Sequence, residues 1–181
     1  MILINILIIL VLAGVLFWEA SLLFASVLGA PTVYADDGAV ADAFELAGLK
    51  QGELVIDLGC GNAKALIMAA RRFGARGIGV ERSPYAYLLS KLNVRRAHQT
   101  KKIKIYFGDF KKVQSELNKA DVVYVYLLNQ VLVSIEAWLF EAVGAKTRIV
   151  SLAFEFKYHQ SKKSKGTMSL GRQTMVRLYS K

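Results

Sequence analysis

Short apolar runs alternate along the second two thirds of the chain with segments whose apolar positions recur at helical spacing. The apolar runs predict buried strands at 54–57, 77–81, 103–107, 120–128 and 147–156. The helical patterns predict helices at 38–47, 62–73, 84–97, 111–118 and 130–143. Residues 157–166 are polar and basic and predict a loop, and the alternation at 174–179 predicts a closing strand. Repeated strand–helix–strand units indicate an α/β fold whose sheet is mainly parallel, with about six to seven strands and helices on both faces.

The N-terminal segment has a different pattern. Residues 1–18 carry no charged side chain, and an uncharged run continues after Glu19 as far as Ala35. Because a helix needs about 20 apolar residues to cross a bilayer, we predict a transmembrane anchor at 1–28, with Glu19 near an interface or paired. A cleaved signal peptide is an alternative, but the basic region that begins such peptides is missing here. A buried helix of a soluble fold is the other alternative.

The anchor divides the chain into parts. Gly29, Ala30 and Pro31 should end the first helix, and Asp36 with Asp37 can cap the next one. We therefore predict a hinge and leading helix at 29–50 and a folded domain at 51–181. The mean hydropathy of +0.35 reflects the apolar N-terminus, and the single cysteine excludes an internal disulfide framework.

The net charge of +10 belongs to the folded domain, since every Lys and Arg lies at or after Lys50. By the positive-inside rule, a basic domain after the anchor predicts a cytoplasmic location. Basic residues cluster between Lys91 and Lys112, and again at Lys162, Lys163 and Lys165. This clustering fits a solvated face, a surface that docks on anionic lipid headgroups, or an RNA-binding surface without an ordered array of aromatic residues.

The most informative motif follows the strand predicted at 54–57. Asp57 ends that strand, Gly59 and Gly61 form a sharp turn, and helical sequence begins at Asn62. Such a strand–glycine turn–helix unit brings backbone N–H groups and a helix N-terminus to a ligand. The dinucleotide pattern G-x-G-x-x-G is not satisfied, because Lys64 occupies the third glycine position.

The pattern D-x-G-x-G-x-[G/A] from Asp57 to Ala63 resembles the Rossmann-like, seven-strand class of S-adenosyl-L-methionine (SAM)-dependent methyltransferases. Two further acids, Glu81 and Asp109, end the next two predicted strands, where that family places them. The resemblance implies that Glu81 binds the ribose hydroxyls and that Asp109 faces the adenine amino group. It implies the following cofactor-binding residues: Asp57, Gly59, Cys60, Gly61, Asn62, Glu81, Arg82, Asp109 and Phe110.

The methyl acceptor should lie beside the end of the strand predicted at 120–128. We expect Tyr126 and Asn129 to be the catalytic residues there. The Asn/Asp-Pro-Pro-aromatic motif of N6-adenine methyltransferases is missing from this position. Cys60 has no histidine near it in sequence and is not expected to be a nucleophile. No metal is needed, and His98 and His159 are expected at the surface rather than in a ligand cluster.

The apolar span, the Gly-Ala-Pro break and the Asp-Leu-Gly-x-Gly turn resemble a narrower group, the membrane-anchored lysine methyltransferases that act on the ATP synthase c subunit and the adenine nucleotide translocase. The segment Thr32 to Ala35 departs from that group, which usually has an aromatic residue, a proline and a threonine there. The resemblance implies a protein lysine acceptor, with the membrane as a partner. Two alternatives are a SAM enzyme acting on RNA or a lipid-like molecule, and a non-catalytic membrane adaptor with a relict fold.

Overall fold

The computed structural model describes residues 1–27 and 35–181, and of residues 21–27 it describes the backbone alone. The break predicted at Gly29, Ala30 and Pro31, and the segment from Thr32 to Tyr34, lie outside the described residues. The described chain begins with helix α1, Ile2–Val27. Its first part, Ile2–Ala20, is long and apolar enough to cross a membrane, and its side chains are exposed.

The remaining described chain forms one seven-stranded sheet. The strands are β1 (Leu54–Leu58), β2 (Arg76–Glu81), β3 (Ile103–Phe107), β4 (Val122–Val125), β5 (Arg148–Leu152), β6 (Lys163–Ser169) and β7 (Arg172–Ser180). Their order across the sheet is β3-β2-β1-β4-β5-β7-β6. Strands β1 to β5 are parallel, and β7 runs antiparallel to both β5 and β6. The α/β architecture predicted from the apolar runs is confirmed.

Helices cover both faces of the sheet. They are α2 (Asp37–Ala47), α3 (Lys64–Arg72), α4 (Pro84–Arg96), α5 (Gln114–Leu117) and α6 (Asn129–Ala142), with a short 3-10 helix at Phe110–Val113. One core joins α2, α3 and α4 to one face, and the other joins α5 and α6 to the opposite face. Successive residues of β1 therefore alternate between the two cores. Val55 packs in the first core, and Ile56 packs in the second.

The strand order fixes where a ligand can bind. β1 has β2 on one side and β4 on the other. The strand order therefore changes direction at β1, because the chain builds β2 and β3 on one side and then crosses to β4 on the other. In open α/β sheets, ligands bind at such a switch point, outside the carboxyl ends of the strands. The glycine turn after β1 lies at this point.

The structure corrects several predicted boundaries. Residues 163–166, predicted as loop, belong to the edge strand β6. Their side chains are exposed and show no apolar alternation, so only backbone pairing with β7 makes this segment a strand. The strand predicted at 147–156 ends at Leu152, because the next residue, Ala153, has a positive φ of 69° that takes the chain out of the sheet. The strand predicted at 120–128 shortens to Val122–Val125.

Candidate active site

The turn after β1 has backbone conformations that suit glycine. Gly59 has a φ of 85° and Gly61 a φ of 54°, and the N–H groups of Gly59 and Cys60 both donate to the carbonyl of Val80 at 3.0 Å. A Cβ atom at Gly59 would also lie 2.9 Å from Leu127 Cδ2. The turn is therefore held against β2 by two backbone hydrogen bonds, and a side chain at its first glycine would be strained and would require Leu127 to shift.

Cys60, between the two glycines, is a packing residue of this turn. It is buried, and a Cβ atom at Gly79 on the neighbouring strand would lie 2.7 Å from Cys60 Sγ. Burial, followed by the nearby charges of Asp57 and Glu81, raises the pKa of the thiol well above its ordinary value. The protonated thiol is a poor nucleophile.

Glu81 connects the end of β2 to the glycine turn. Its Oε2 accepts a hydrogen bond from the Gly61 N–H at 2.8 Å, and its Oε1 accepts one from the Ser83 N–H at 2.8 Å. The side chain is buried. Each carboxylate oxygen has two acceptor positions, so both oxygens keep one for a ligand hydroxyl.

Asp57 and Tyr124 form the floor of a cleft on the α2–α3 side of the sheet. They are paired in register on β1 and β4, and the cleft is also lined by Gly59, Gly61 and Asn62. Asp57 is 2% exposed, and burial, followed by the charge of Glu81, raises the pKa of its carboxyl to about 8. The buried hydroxyl of Tyr124 has no hydrogen-bond partner among the described residues. This floor has unused polar groups that suit a cationic, hydrogen-bonding ligand.

The other residues predicted from the motif follow the ends of β1, β2 and β3. Asn62 Oδ1 accepts from the Lys64 N–H at 3.1 Å, and its carbonyl accepts from Asn93 Nδ2 at 3.1 Å. Asp109 is half-exposed and caps the 3-10 helix, where its Oδ1 accepts from the Lys111 N–H at 3.2 Å. Arg82 Nη1 lies 4.0 Å from Asp109 Oδ2, and Phe110, the first residue of the 3-10 helix, is partly buried. Asn62 lines the cleft, whereas Arg82, Asp109 and Phe110, which follow β2 and β3, are not among the described residues that line it.

The two residues predicted as catalytic occupy different places. Tyr126 follows β4 and lines the cleft two residues beyond Tyr124. Asn129 is exposed at the first position of α6, and among the described residues it is not one that lines the cleft. The structure thus brings Tyr126, but not Asn129, next to Asp57.

The loop after β5 is held in place by a buried glutamate whose role the sequence pattern did not reveal. Glu136 of α6 is buried, and its carboxylate accepts from the Lys157 and Tyr158 N–H groups at 2.9 Å and 2.7 Å. His159 Nδ1 lies 2.8 Å from Glu136 Oε1, and the His159 ring stacks on Phe140 with centroids 3.5 Å apart. In the sequence, the one sign of this role is an acidic residue on an otherwise apolar face of a helix. The contacts of Glu136 hold the loop against α6 at the carboxyl end of β5.

Histidine, cysteine and acidic side chains do not gather into a metal-binding group anywhere in the described ranges 1–27 and 35–181. His98 is exposed, with a positive φ of 57°, and His159 is partly buried by its contacts with Glu136 and Phe140.

Comparison with known sequences identifies the family of this domain. The model of the family described as "ANTKMT methyltransferase domain" matches residues 57–163, more than half of the chain. A protein-lysine N-methyltransferase of Saccharolobus islandicus is 30% identical over 128 residues, which cover 70% of this chain and 78% of that protein. A ribosomal protein L11 methyltransferase of Klebsiella pneumoniae is 35% identical over 78 residues, but these cover 43% of this chain and 26% of that protein.

Comparison with solved structures gives the same fold. The structure of an RNA methyltransferase from Salinibacter ruber in complex with S-adenosyl-L-homocysteine has a TM-score of 0.72 and 28% sequence identity. The match covers 80% of this chain and 92% of that one. The tRNA methyltransferase TrmK of Bacillus subtilis, at 15% identity and a TM-score of 0.65, shares the fold.

Proposed function

We propose that this chain, which belongs to the ANTKMT methyltransferase domain family and is a SAM-dependent methyltransferase, methylates a lysine side chain of a protein at a membrane. The observation that carries the choice of acceptor is the relation to the protein-lysine N-methyltransferase of Saccharolobus islandicus. That relation extends over 70% of this chain, far beyond the glycine turn that methyltransferases of many kinds share.

The residues of the cleft fit SAM as the cofactor. Gly59 and Gly61 have positive φ angles, which suit a turn whose backbone approaches a ligand closely. We assign the ribose hydroxyls to the free acceptor positions of Glu81 and the methionine ammonium to Asp57 with Tyr124. A cation at Asp57 would compensate the buried carboxylate, whose protonation is otherwise favoured by burial. Asn62, Arg82, Asp109 and Phe110 would enclose the adenosine end at the rim.

SAM supplies an activated methyl group, so the protein must align an acceptor that has a free lone pair. A lysine amine with a pKa of about 10.4 is protonated at pH 7, and removing its proton costs about 4.6 kcal/mol. Tyr126 lies at the cleft where that amine would enter. We assign to its hydroxyl the orientation of the amine.

The membrane location is the second part of the proposal. Residues 1–28 would anchor the enzyme in a single pass, with the basic domain on the cytoplasmic side and its basic face on anionic lipid. Support comes from α1, whose Ile2–Ala20 portion is exposed and apolar. A tether of this kind would raise the effective concentration of enzyme near a membrane-embedded acceptor.

Radiolabelled SAM identifies the acceptor class. Full-length enzyme is incubated with membranes from cells that lack it, and the products are separated into protein, RNA and lipid. We expect label in membrane protein, recovered as methylated lysine after acid hydrolysis, and no such label with the Gly61→Val variant. Label confined to RNA or lipid would contradict the proposal.

RNA is the second candidate acceptor. It is favoured by the similarity to the Salinibacter ruber RNA methyltransferase and by the basic residues between Lys91 and Lys112. Nuclease treatment of the labelled products separates the two acceptors, because it releases label from RNA and leaves label in protein. A non-catalytic adaptor would show neither kind of label and need not bind SAM in calorimetry.

A further inference from the structure

Exposed apolar side chains lie along the β3 edge of the sheet. Leu88 and Leu92 are separated by one turn on the outer face of α4 and are 56% and 43% exposed. Tyr106 and Phe107, at the end of β3, are also exposed, and the Phe107 ring lies 5.3 Å from the ring of Tyr87 on α4. We call Leu88, Leu92, Tyr106 and Phe107 the β3 edge surface. It takes no part in the cleft described above.

The stretch of sequence that carries this surface is basic and contains no acidic residue. From Pro84 to Phe107 the sequence contains no Asp or Glu. The same stretch carries the exposed basic residues Lys91, Arg95, Arg96, Lys101, Lys102 and Lys104. Within the described residues, none of these six forms an ion pair with a carboxylate. By contrast, Lys165 on β6 at the other edge of the sheet pairs with Asp42 at 2.6 Å.

The N-terminal helix reaches the same edge. The backbones of α1 and α4 come within 8 Å of each other, so the N-terminal helix adjoins the helix that carries Leu88 and Leu92. Leucine and aromatic side chains beside Lys and Arg are the composition of elements that lie in a membrane interface. Phosphate contacts to RNA would use the basic residues but would leave Leu88 and Leu92 in water.

We infer that the β3 edge surface docks on an anionic bilayer, with α4 lying in the interface and its leucines inserted below the headgroups. The inference rests on the membrane tether of the proposed function and adds the orientation of the domain to it. Leu88 lies one turn after the start of α4, close to the carboxyl edge of the sheet where the cleft opens. Docking of this surface would therefore hold the cleft at the level of the headgroups, within reach of acceptor lysines close to the membrane.

Spin labels test this orientation in the full chain. The only native cysteine, Cys60, is buried, so a surface cysteine can be labelled selectively. The test position is Leu88→Cys. The matched control is Leu170→Cys, because Leu170 has a similar exposure of 54% and lies between β6 and β7, at the opposite edge of the sheet. A third label, Leu10→Cys on α1, reports insertion of the anchor. Each protein is reconstituted in nanodiscs of phosphatidylcholine alone or with phosphatidylglycerol.

In discs with phosphatidylglycerol we expect the label at 88 to collide with oxygen dissolved in the bilayer. The same label should be shielded several-fold from a water-soluble nickel chelate, while the label at 170 remains accessible to the chelate. Equal access of the chelate to both labels, with the label at 10 inserted, would overturn the inference and leave the tether intact. An aqueous label at 10 would overturn the tether as well. Shielding of position 88 that requires added RNA or acceptor protein would also overturn the inference.

An activity measurement completes the test. The variant Leu88→Ser/Leu92→Ser should lower methylation of a membrane-embedded acceptor by roughly tenfold, since two half-exposed leucines lose their burial in the interface. Its activity on a detached acceptor peptide should not change. The control Met168→Ser/Leu170→Ser, at the opposite edge, should retain both activities. Equal activities of the two double variants on the membrane acceptor would contradict docking.

Discussion

The Glu81 carboxylate accepts a hydrogen bond from the backbone N–H of Gly61 at 2.8 Å. This bond connects the end of β2 to the glycine turn, which is 20 residues earlier in the chain. The residue assigned to the ribose and the glycine turn are therefore joined by a direct hydrogen bond. We expect their substitutions to be non-additive in SAM affinity, as a double-mutant cycle would measure.

Gly61→Val should abolish detectable SAM binding in calorimetry while leaving the fold largely intact. A β-branched residue at a φ of 54° is strained, and its side chain would occupy the space in which the backbone meets the cofactor. The matched control is Gly171→Val, because Gly171 also has a positive φ, 69°, and open space around it. Both variants should lose about 1–2 kcal/mol of stability. Unchanged SAM affinity of Gly61→Val would contradict the cofactor assignment.

Glu81→Ala should weaken SAM binding at least tenfold. Hydrogen bonds to a charged group contribute about 1.5–3 kcal/mol each, and the variant loses those to the ribose. It also leaves the N–H groups of Gly61 and Ser83 without their acceptor, so the free energy of unfolding should fall. Affinity is therefore measured by titration calorimetry at a temperature where the variant is folded. A loss of affinity below twofold would show that Glu81 supports the turn only.

The stability of the free protein should depend on the pKa of Asp57. This pKa is raised from 3.8 to about 8 in the folded state, so the folded protein binds one more proton than the unfolded chain between these values. Stability should then decrease as the pH rises from about 4 to about 8. Asp57→Asn should remove this contribution and stabilise the free protein at pH 7. Denaturant titrations across that range measure both effects, and an unchanged slope in the variant would contradict the raised pKa.

SAM binding should release a proton from Asp57 at pH 7. The methionine ammonium would favour the charged carboxylate, which lowers the pKa of Asp57 in the complex. Calorimetry in buffers of different ionisation enthalpy counts the protons released, and Asp57→Asn should release none. Identical apparent enthalpies for the native chain in all buffers would argue against an ammonium at Asp57.

Tyr126→Phe should lower kcat by roughly 100-fold while SAM affinity stays nearly constant, because a hydroxyl that orients the acceptor acts in the chemical step. Asn129→Ala is the comparison, since Asn129 is exposed at the start of α6 and should affect kcat much less. Tyr124→Phe should instead weaken SAM binding, because it removes the unpartnered hydroxyl at the floor of the cleft. Single-turnover kinetics together with calorimetry separate the three cases.

Deletion of residues 1–28 should leave SAM affinity nearly unchanged, since every residue assigned to the cofactor lies after Leu54. It should reduce methylation of membrane-embedded acceptors far more than methylation of a detached peptide. Two results would contradict the anchor. One is an equal loss on both substrates, and the other is recovery of the full-length protein in the soluble fraction at low salt without detergent.

The α/β class, the parallel strands β1 to β5 and the glycine turn could be predicted from the amino-acid sequence alone. These features depend on local signals, because an apolar run marks a buried strand and glycine marks a turn with positive φ. The SAM-dependent activity could also be inferred from the sequence, because acids end three successive strands. The family match confirms this activity. The roles of individual site residues remain predictions.

Which of these residues lie together depends on contacts between strands and helices that are distant in the sequence. The register between β1 and β4 places Asp57 beside Tyr124, and nothing near Tyr124 in sequence marks its hydroxyl as unpartnered. Edge strand β6 forms through pairing with β7, and Glu136 acquires its role from backbone N–H groups more than 20 residues away. Such contacts join residues that are far apart in the sequence, and they depend on strand pairing and burial in the folded chain. Local sequence patterns do not encode them.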